Sequence, residues 1–213
     1  MKNKDNLELK KDFQKTIKRL KKMEGKIRGC CLKSMVDFLL SSEDKKFLPD
    51  IQNKLSEYGF KEDLRRVKTL TWYPVSYIIA SLFSFYEILE WGDEEIRQAG
   101  RNCPKSSAQI VFRISTSIYV LSLEKAFAML PSAWRKLVNF GNLKGFELNE
   151  KEKYLTARIR DFPVHPLYCK FIEGFGEGLG KVLIRSEKIS CRERKCVFQG
   201  DSYHEFVVRW QTE

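Results

Sequence analysis

A chain of 213 residues that is 43% hydrophobic and 13% aromatic is long enough for one sizeable core and too apolar for a disordered protein. The formal charge of +11 is concentrated in residues 1–28, which carry +7 and leave +4 for the other 185 residues, so a solvated basic helix face is expected and nucleic-acid binding is not. No apolar run reaches the roughly eighteen residues of a membrane helix, the basic start lacks the features of a secretory signal, and six irregularly spaced cysteines do not resemble a disulfide framework, which together predict a reducing, cytoplasmic setting without a membrane span.

In chain order, Leu9, Phe13, Ile17 and Leu20 lie three or four apart among lysines and predict an amphipathic helix over Leu7–Met23. Residues 1–24 therefore read as a basic helical extension, and 25–213 as a single domain. The extension docks on the body, pairs with its twin in a homodimer, or lies on a membrane; its narrow stripe and lack of Trp disfavour the last. Gly25-Lys-Ile-Arg-Gly29 breaks the pattern, Cys31–Leu40 is helical in period, and Phe47–Tyr58 is a further helix capped by Gly59. The stretch Trp72–Trp91 is strongly aromatic, with Pro74 suited to a first helical turn and a helix after it that is apolar nearly all round. Ordinary core is one reading of its rings. The other is that Trp72, Tyr73, Tyr77, Phe83 and Tyr86, with Phe112, Phe171 and Phe175, line an apolar ligand pocket.

Asp93–Gly100 reads as a short helix, Asn102-Cys-Pro104 as a turn, and Lys105–Leu130 as a long helix ended or kinked by Pro131. A shorter helix follows over Ala133–Val138. Asn142–Leu148 and Lys153–Asp161 form a hairpin about Asn149-Glu-Lys151. Between Tyr168 and Ile184, Phe171, Phe175, Leu179, Val182 and Leu183 mark a helix that also holds Gly174, Gly176, Gly178 and Gly180. Each glycine costs about 1 kcal/mol there against alanine, so another backbone or a ligand is expected close by. The period then becomes two, in Lys188–Phe198 and Tyr203–Trp210 about Gly200-Asp201, a second hairpin. The expected fold is α+β: a helical N-terminal half, then an antiparallel sheet built from two hairpins split by the Gly-rich helix.

Cys196 and His204 stand four residues either side of Gly200, so pairing about the turn brings them together across the strands. Cys191 and Glu193 share the arm of Cys196, and Cys169 opens the preceding helix. Thiolates and an imidazole converging in this way suit a closed tetrahedral zinc site; buried cysteines acting as small hydrophobes are the alternative.

The segment resembles the 4-vinyl-reductase domain, a small-molecule-binding module related to the H-NOX haem domain and to a trafficking-complex subunit family. The resemblance rests on a Cys before a Gly-rich helix (Cys169, Glu173-Gly-Phe175), Glu193-Arg-Lys-Cys196, Gly200-Asp201 and His204-Glu-Phe206. His204 stands where that pattern has a final Cys. The resemblance implies structural zinc on Cys169, Glu193, Cys196 and His204, with Cys191 an extra thiol able to replace Glu193.

No P-loop, dinucleotide fingerprint, nucleophile elbow or metalloprotease motif is present, so no enzyme is expected. His165, between Pro163 and Pro166, matches no haem-contacting pattern of the H-NOX group, and haem is not expected. The leading expectation is a non-enzymatic sensor domain for a small apolar or aromatic molecule, signalling through a separate protein. The other is an interaction or scaffold protein with a filled core, using the N-terminal helix to dimerise or dock.

Overall fold

The computed structural model describes residues 2–111, 122–184, 186 and 188–211. Helix α1 (Lys2–Leu20) is followed by strand β1 (Lys26–Arg28), helices α2 (Gly29–Leu40) and α3 (Leu48–Glu57), strand β2 (Trp72–Pro74) and helices α4 (Val75–Leu89) and α5 (Asp93–Val111). Helices α6 (Leu123–Ala128) and α7 (Leu130–Leu137) then lead to β3 (Asn142–Asn149), β4 (Tyr154–Arg160), α8 (Pro166–Ile184), β5 (Ile189–Lys195) and β6 (His204–Trp210). The four long strands form one antiparallel sheet in the order β3-β4-β6-β5. Two hairpins split by a glycine-rich helix, preceded by a helical half, is the α+β arrangement expected from the change of hydrophobic period.

Of the roles open to α1, the structure shows docking. Phe13, Ile17 and Leu20 are buried, and Phe13 stacks on Phe83 of α4 with ring centroids 3.8 Å apart. Arg19 adds a hydrogen bond to the Val164 carbonyl at 2.6 Å, tying the helix to the segment before α8. The stripe read from the sequence is therefore spent on the chain's own core. Gly59 follows α3 at φ 86°, the left-handed position that ends a helix most easily with glycine.

Three local expectations change. Pro74, expected in the first turn of a helix, instead ends β2, which holds Trp72 and Tyr73 and pairs with β1, and stands as the cap before α4. The expected turn at Asn102-Cys-Pro104 is helical, and α5 runs through it with Pro104 inside. A proline there removes one backbone hydrogen bond, which the extensive packing of α5 on α8 offsets. Pro131 opens α7 instead of bending a long helix. The middle of the expected Lys105–Leu130 helix, residues 112–121, and with it the pocket residue Phe112, lie outside the described residues.

The glycines of α8 explain that packing. A Cβ on Gly174 would overlap the Arg97 carbonyl oxygen, one on Gly178 that of Arg101, and one on Gly100 of α5 that of Phe171. Two helices thus meet backbone to backbone. A Cβ on Gly176 would lie 2.6 Å from Cys191 Sγ and one on Gly180 3.0 Å from Ile189 Cγ2, so the next glycine row admits β5 equally closely.

Between the glycines, Glu173 and Glu177 are buried and act as clamps. Glu173 accepts from Arg97 Nε at 2.7 Å and from the Glu193 backbone N–H at 2.8 Å. Glu177 accepts from Arg101 Nε at 2.5 Å, Arg192 Nη1 at 2.7 Å and the Cys191 N–H at 3.3 Å. Strand β5 is a sheet edge whose outward N–H groups would otherwise be unpaired; the two carboxylates satisfy them and fasten α5, α8 and β5 into one unit.

Candidate functional site

The hairpin of β5 and β6 pairs Cys191 with Val208, Glu193 with Phe206 and Lys195 with Glu205, with a register shift between Glu193 and Lys195. Its connection is a 3-10 turn over Val197–Gln199, closed by Gly200 at φ 96°. Asp201 Oδ2 accepts the Cys196 N–H at 2.9 Å, which holds Cys196 at the hairpin end facing β6. The first turn of α8 brings Cys169 to the same corner.

The ligand atoms of Cys169, Glu193, Cys196 and His204 all lie within 4.8 Å of one another. His204 is fully buried. Its Nε2 lies 3.1 Å from the Phe162 carbonyl oxygen, to which only an N–H can donate. Its Nδ1 then faces inward, 2.7 Å from Glu193 Oε1 and 3.7 Å from Cys169 Sγ. An imidazole lone pair and a carboxylate oxygen in contact require a cation between them, a proton or a metal ion. A carbonyl that accepts the other ring N–H and so sets the histidine tautomer is also the usual support of a metal-bound imidazole. Burial raises the Cys169 thiol well above its usual range, and the Glu193 carboxylate adds to this. Burial raises Cys196 too. A metal cation reverses that balance and favours both thiolates.

Cys191 is not brought to this group. It shares a strand face with Glu193, but two residues along a strand is about 6.6 Å, and its sulfur packs against Gly176 instead. Glu193, nearer the turn, is the fourth side chain gathered at the corner.

A cavity of about 120 Å³ lies under α7, between α8 and the sheet. Its wall is almost wholly apolar and includes Trp134, Leu143, Ile159, Phe171, Phe175 and Phe206. It is a different place from the pocket expected in the aromatic stretch. Phe171 and Phe175 border it, whereas Tyr77 and Phe83 are buried core, Tyr73 accepts the Lys68 N–H at 3.0 Å, Trp72 lies under the Arg28 guanidinium and Tyr86 meets Phe13 edge-on. The sequence missed Trp134, Leu137, Leu155 and Ile159 as lining residues because a strand or helix face bordering a cavity has the same periodicity as one bordering packed core. His165 rests on Phe13 and Phe83, with Nε2 3.2 Å from Asp12 Oδ2, away from the cavity. Burial lowers its pKa, against the opposing pull of Asp12.

The sequence matches no family profile, and no curated protein matches it by sequence. Solved structures do match. An H-NOX protein from S. oneidensis in the Fe(II)NO ligation state aligns over 87% of this chain and 100% of its own, with a TM-score of 0.61 and 14% identity. An oxygen-binding H-NOX domain related to soluble guanylate cyclases aligns over 86% of this chain and 93% of its own, with a TM-score of 0.57 and 14% identity. A structure solved in work on modulating heme redox potential through protein-induced porphyrin distortion aligns over 87% and 96%, with a TM-score of 0.60 and 14% identity. The chain has the H-NOX fold. The expectation that dismissed haem is thereby corrected: it rested on the lack of a histidine pattern, whereas the fold is one whose solved examples include haem proteins. Among the described residues no helix is long and apolar enough to cross a membrane.

Proposed function

We propose that this protein is a non-enzymatic binding domain of the 4-vinyl-reductase type, built on the H-NOX fold, which holds a small apolar or aromatic molecule against its sheet and carries a structural zinc ion. The observation that carries the reading is the apolar cavity between α7, α8 and the sheet. Pockets of this kind derive affinity from burying apolar ligand surface. The scaffold reading requires an interior filled by its own side chains, which the open cavity disfavours.

Zinc on Cys169, Glu193, Cys196 and His204 supplies a permanent cation between His204 Nδ1 and Glu193 and joins the first turn of α8 to the β5–β6 hairpin. Four protein donors close the coordination sphere, so the ion supports the fold and leaves no position for substrate. Phe206 and Ile159 border the cavity and lie next to His204 in the sheet, Phe206 along β6 and Ile159 as its cross-strand partner. Fixing the hairpin therefore fixes part of the cavity wall.

The fold brings a tetrapyrrole within the class of occupants. The cavity, about 120 Å³, would have to widen to take one; among the described residues the donors bordering it are Cys31, Tyr168 and Cys191, and neither histidine is among them. Iron held there would be bound by sulfur or phenolate, both known axial donors. The six free cysteines fit a reducing, cytoplasmic setting.

Native mass spectrometry of protein purified without added metal, compared with the denatured chain, tests this. A mass excess of one zinc, absent from Cys196→Ala, together with a co-purifying organic mass, is the expected result. A bare chain that also fails to bind added zinc or an apolar fluorescent probe would overturn it.

A further inference from the structure

A second cluster of donors lies apart from the hairpin corner, between α2 and α5. Cys30 and Cys31 open α2, and Cys103 comes from α5, 72 residues after Cys31. All three are buried. Their sulfur atoms lie within 4.8 Å of one another, with Cys31 and Cys103 3.7 Å apart. Two sulfurs bound to one tetrahedral zinc-sized ion at about 2.3 Å each stand about 3.8 Å apart. A disulfide would need about 2.05 Å, so the Cys31–Cys103 spacing fits a shared ion, with Cys30 Sγ within 4.8 Å of both.

Burial disfavours a free thiolate at Cys103, so negative charge on these sulfurs depends on a bound cation. Cys30 and Cys31 sit in the first turn of a twelve-residue helix, where the unpaired ends of the peptide dipoles stabilise thiolates. Tyr168, also buried, is close enough to lower the Cys31 thiol, after the larger effects of Cys103 and Cys30. Cys31 and Tyr168 also border the apolar cavity. Cys31 is thus the member of the cluster that meets the cavity.

We propose that Cys30, Cys31 and Cys103 form a second metal site, a three-thiolate site for a soft divalent ion of the zinc group whose fourth coordination position opens into the cavity. An all-sulfur donor set selects thiophilic ions over magnesium, calcium or manganese. Charge selects the divalent ion over copper(I): three thiolates around a +1 ion leave two uncompensated charges in a buried place, around a +2 ion only one, which the Tyr168 hydroxyl and the α2 N-terminus face. Three protein ligands with an open position is the arrangement that lets a bound ion also hold a guest molecule. The cavity's occupant would then carry a donor atom, such as a thiol, an amine or an azole nitrogen, on an otherwise apolar body.

Cadmium(II) is the probe, added to the reduced, metal-stripped full-length chain, with bound ions counted by native mass spectrometry and their donors read by 113Cd NMR. Two ions per chain are expected, with one resonance from a mixed sulfur, nitrogen and oxygen set and one further downfield from a three-sulfur set. Cys103→Ala should lose only the downfield signal and Cys196→Ala only the other, so failure of this site and failure of the hairpin site are distinguishable. The wild-type spectrum decides the matter if Cys103→Ala does not fold. A single resonance of the mixed type overturns the proposal, as does a Cys31–Cys103 disulfide in protein kept under reducing conditions.

Discussion

Gly174 of α8 lies against the carbonyl of Arg97 in α5 so closely that no side chain fits between the two backbones. The same contact recurs one turn later between Gly178 and Arg101. Helix propensity favours alanine at Gly174 by about 1 kcal/mol, but overpacking a close contact costs about 1–3 kcal/mol, and here the obstacle is backbone. Gly174→Ala and Gly178→Ala should each lower the unfolding midpoint in a thermal melt, and the double variant more than either. A rise in stability would show that the helices can move apart freely.

Glu173 links Arg97 to the edge-strand N–H of Glu193. Glu173→Ala leaves a partly buried guanidinium and a backbone donor without their acceptor, and removing one partner of a buried pair costs about 3–5 kcal/mol. Glu173→Gln keeps an acceptor oxygen and should lose clearly less. Urea unfolding of both variants checks the order, and equal losses would exclude the clamp.

Glu205, buried in β6, supplies a pH dependence. Burial alone would raise its carboxyl, but hydrogen bonds and ion pairs with Arg158 and Arg194 outweigh this and hold it below the ordinary value of 4.5. A carboxyl whose folded pKa is depressed stabilises the fold above its unfolded pKa and loses that contribution as pH falls through the folded one. Stability should therefore decline below about pH 4, and less steeply in Glu205→Gln, as measured by denaturant unfolding across pH 3–7. Parallel curves for the two proteins would remove Glu205 from the account.

At the hairpin corner, His204→Ala and Cys196→Ala should weaken zinc binding by roughly a hundredfold or more in competition with a chromophoric chelator, since each removes one of the proposed ligands. Cys191→Ala should leave it within a few-fold, because Cys191 packs on Gly176. Loss of zinc from Cys191→Ala alone would reverse the assignment of Glu193 as the fourth donor.

Phe13→Ala should destabilise the chain by about 3–5 kcal/mol, the range for a fully buried ring, because α1 is part of the core through the Phe13–Phe83 stack. A change under about 1 kcal/mol in chemical unfolding would mean that α1 contributes no packing in solution.

The sequence by itself determined most of the longer elements and the hairpin corner. Hydrophobic spacing separated helices from strands, the repeat about Gly200 put Cys196 opposite His204, and the glycines of α8 announced a close neighbour. These are short-range signals: they depend on residues a turn or a hairpin apart, which the backbone places without help from the rest of the chain. Only the tertiary structure decided that α1 docks on α4, that Glu193 rather than Cys191 reaches the corner, that the cavity lies under α7 instead of among the rings of β2 and α4, and that Cys103 meets Cys30 and Cys31. Each of these depends on which face of one element turns towards another far away in the chain. A helical or strand repeat reveals that a face is buried but not against what, and the choice is made by packing, here by the backbone contact of α5 with α8 and the carboxylate clamps that hold β5 beside them.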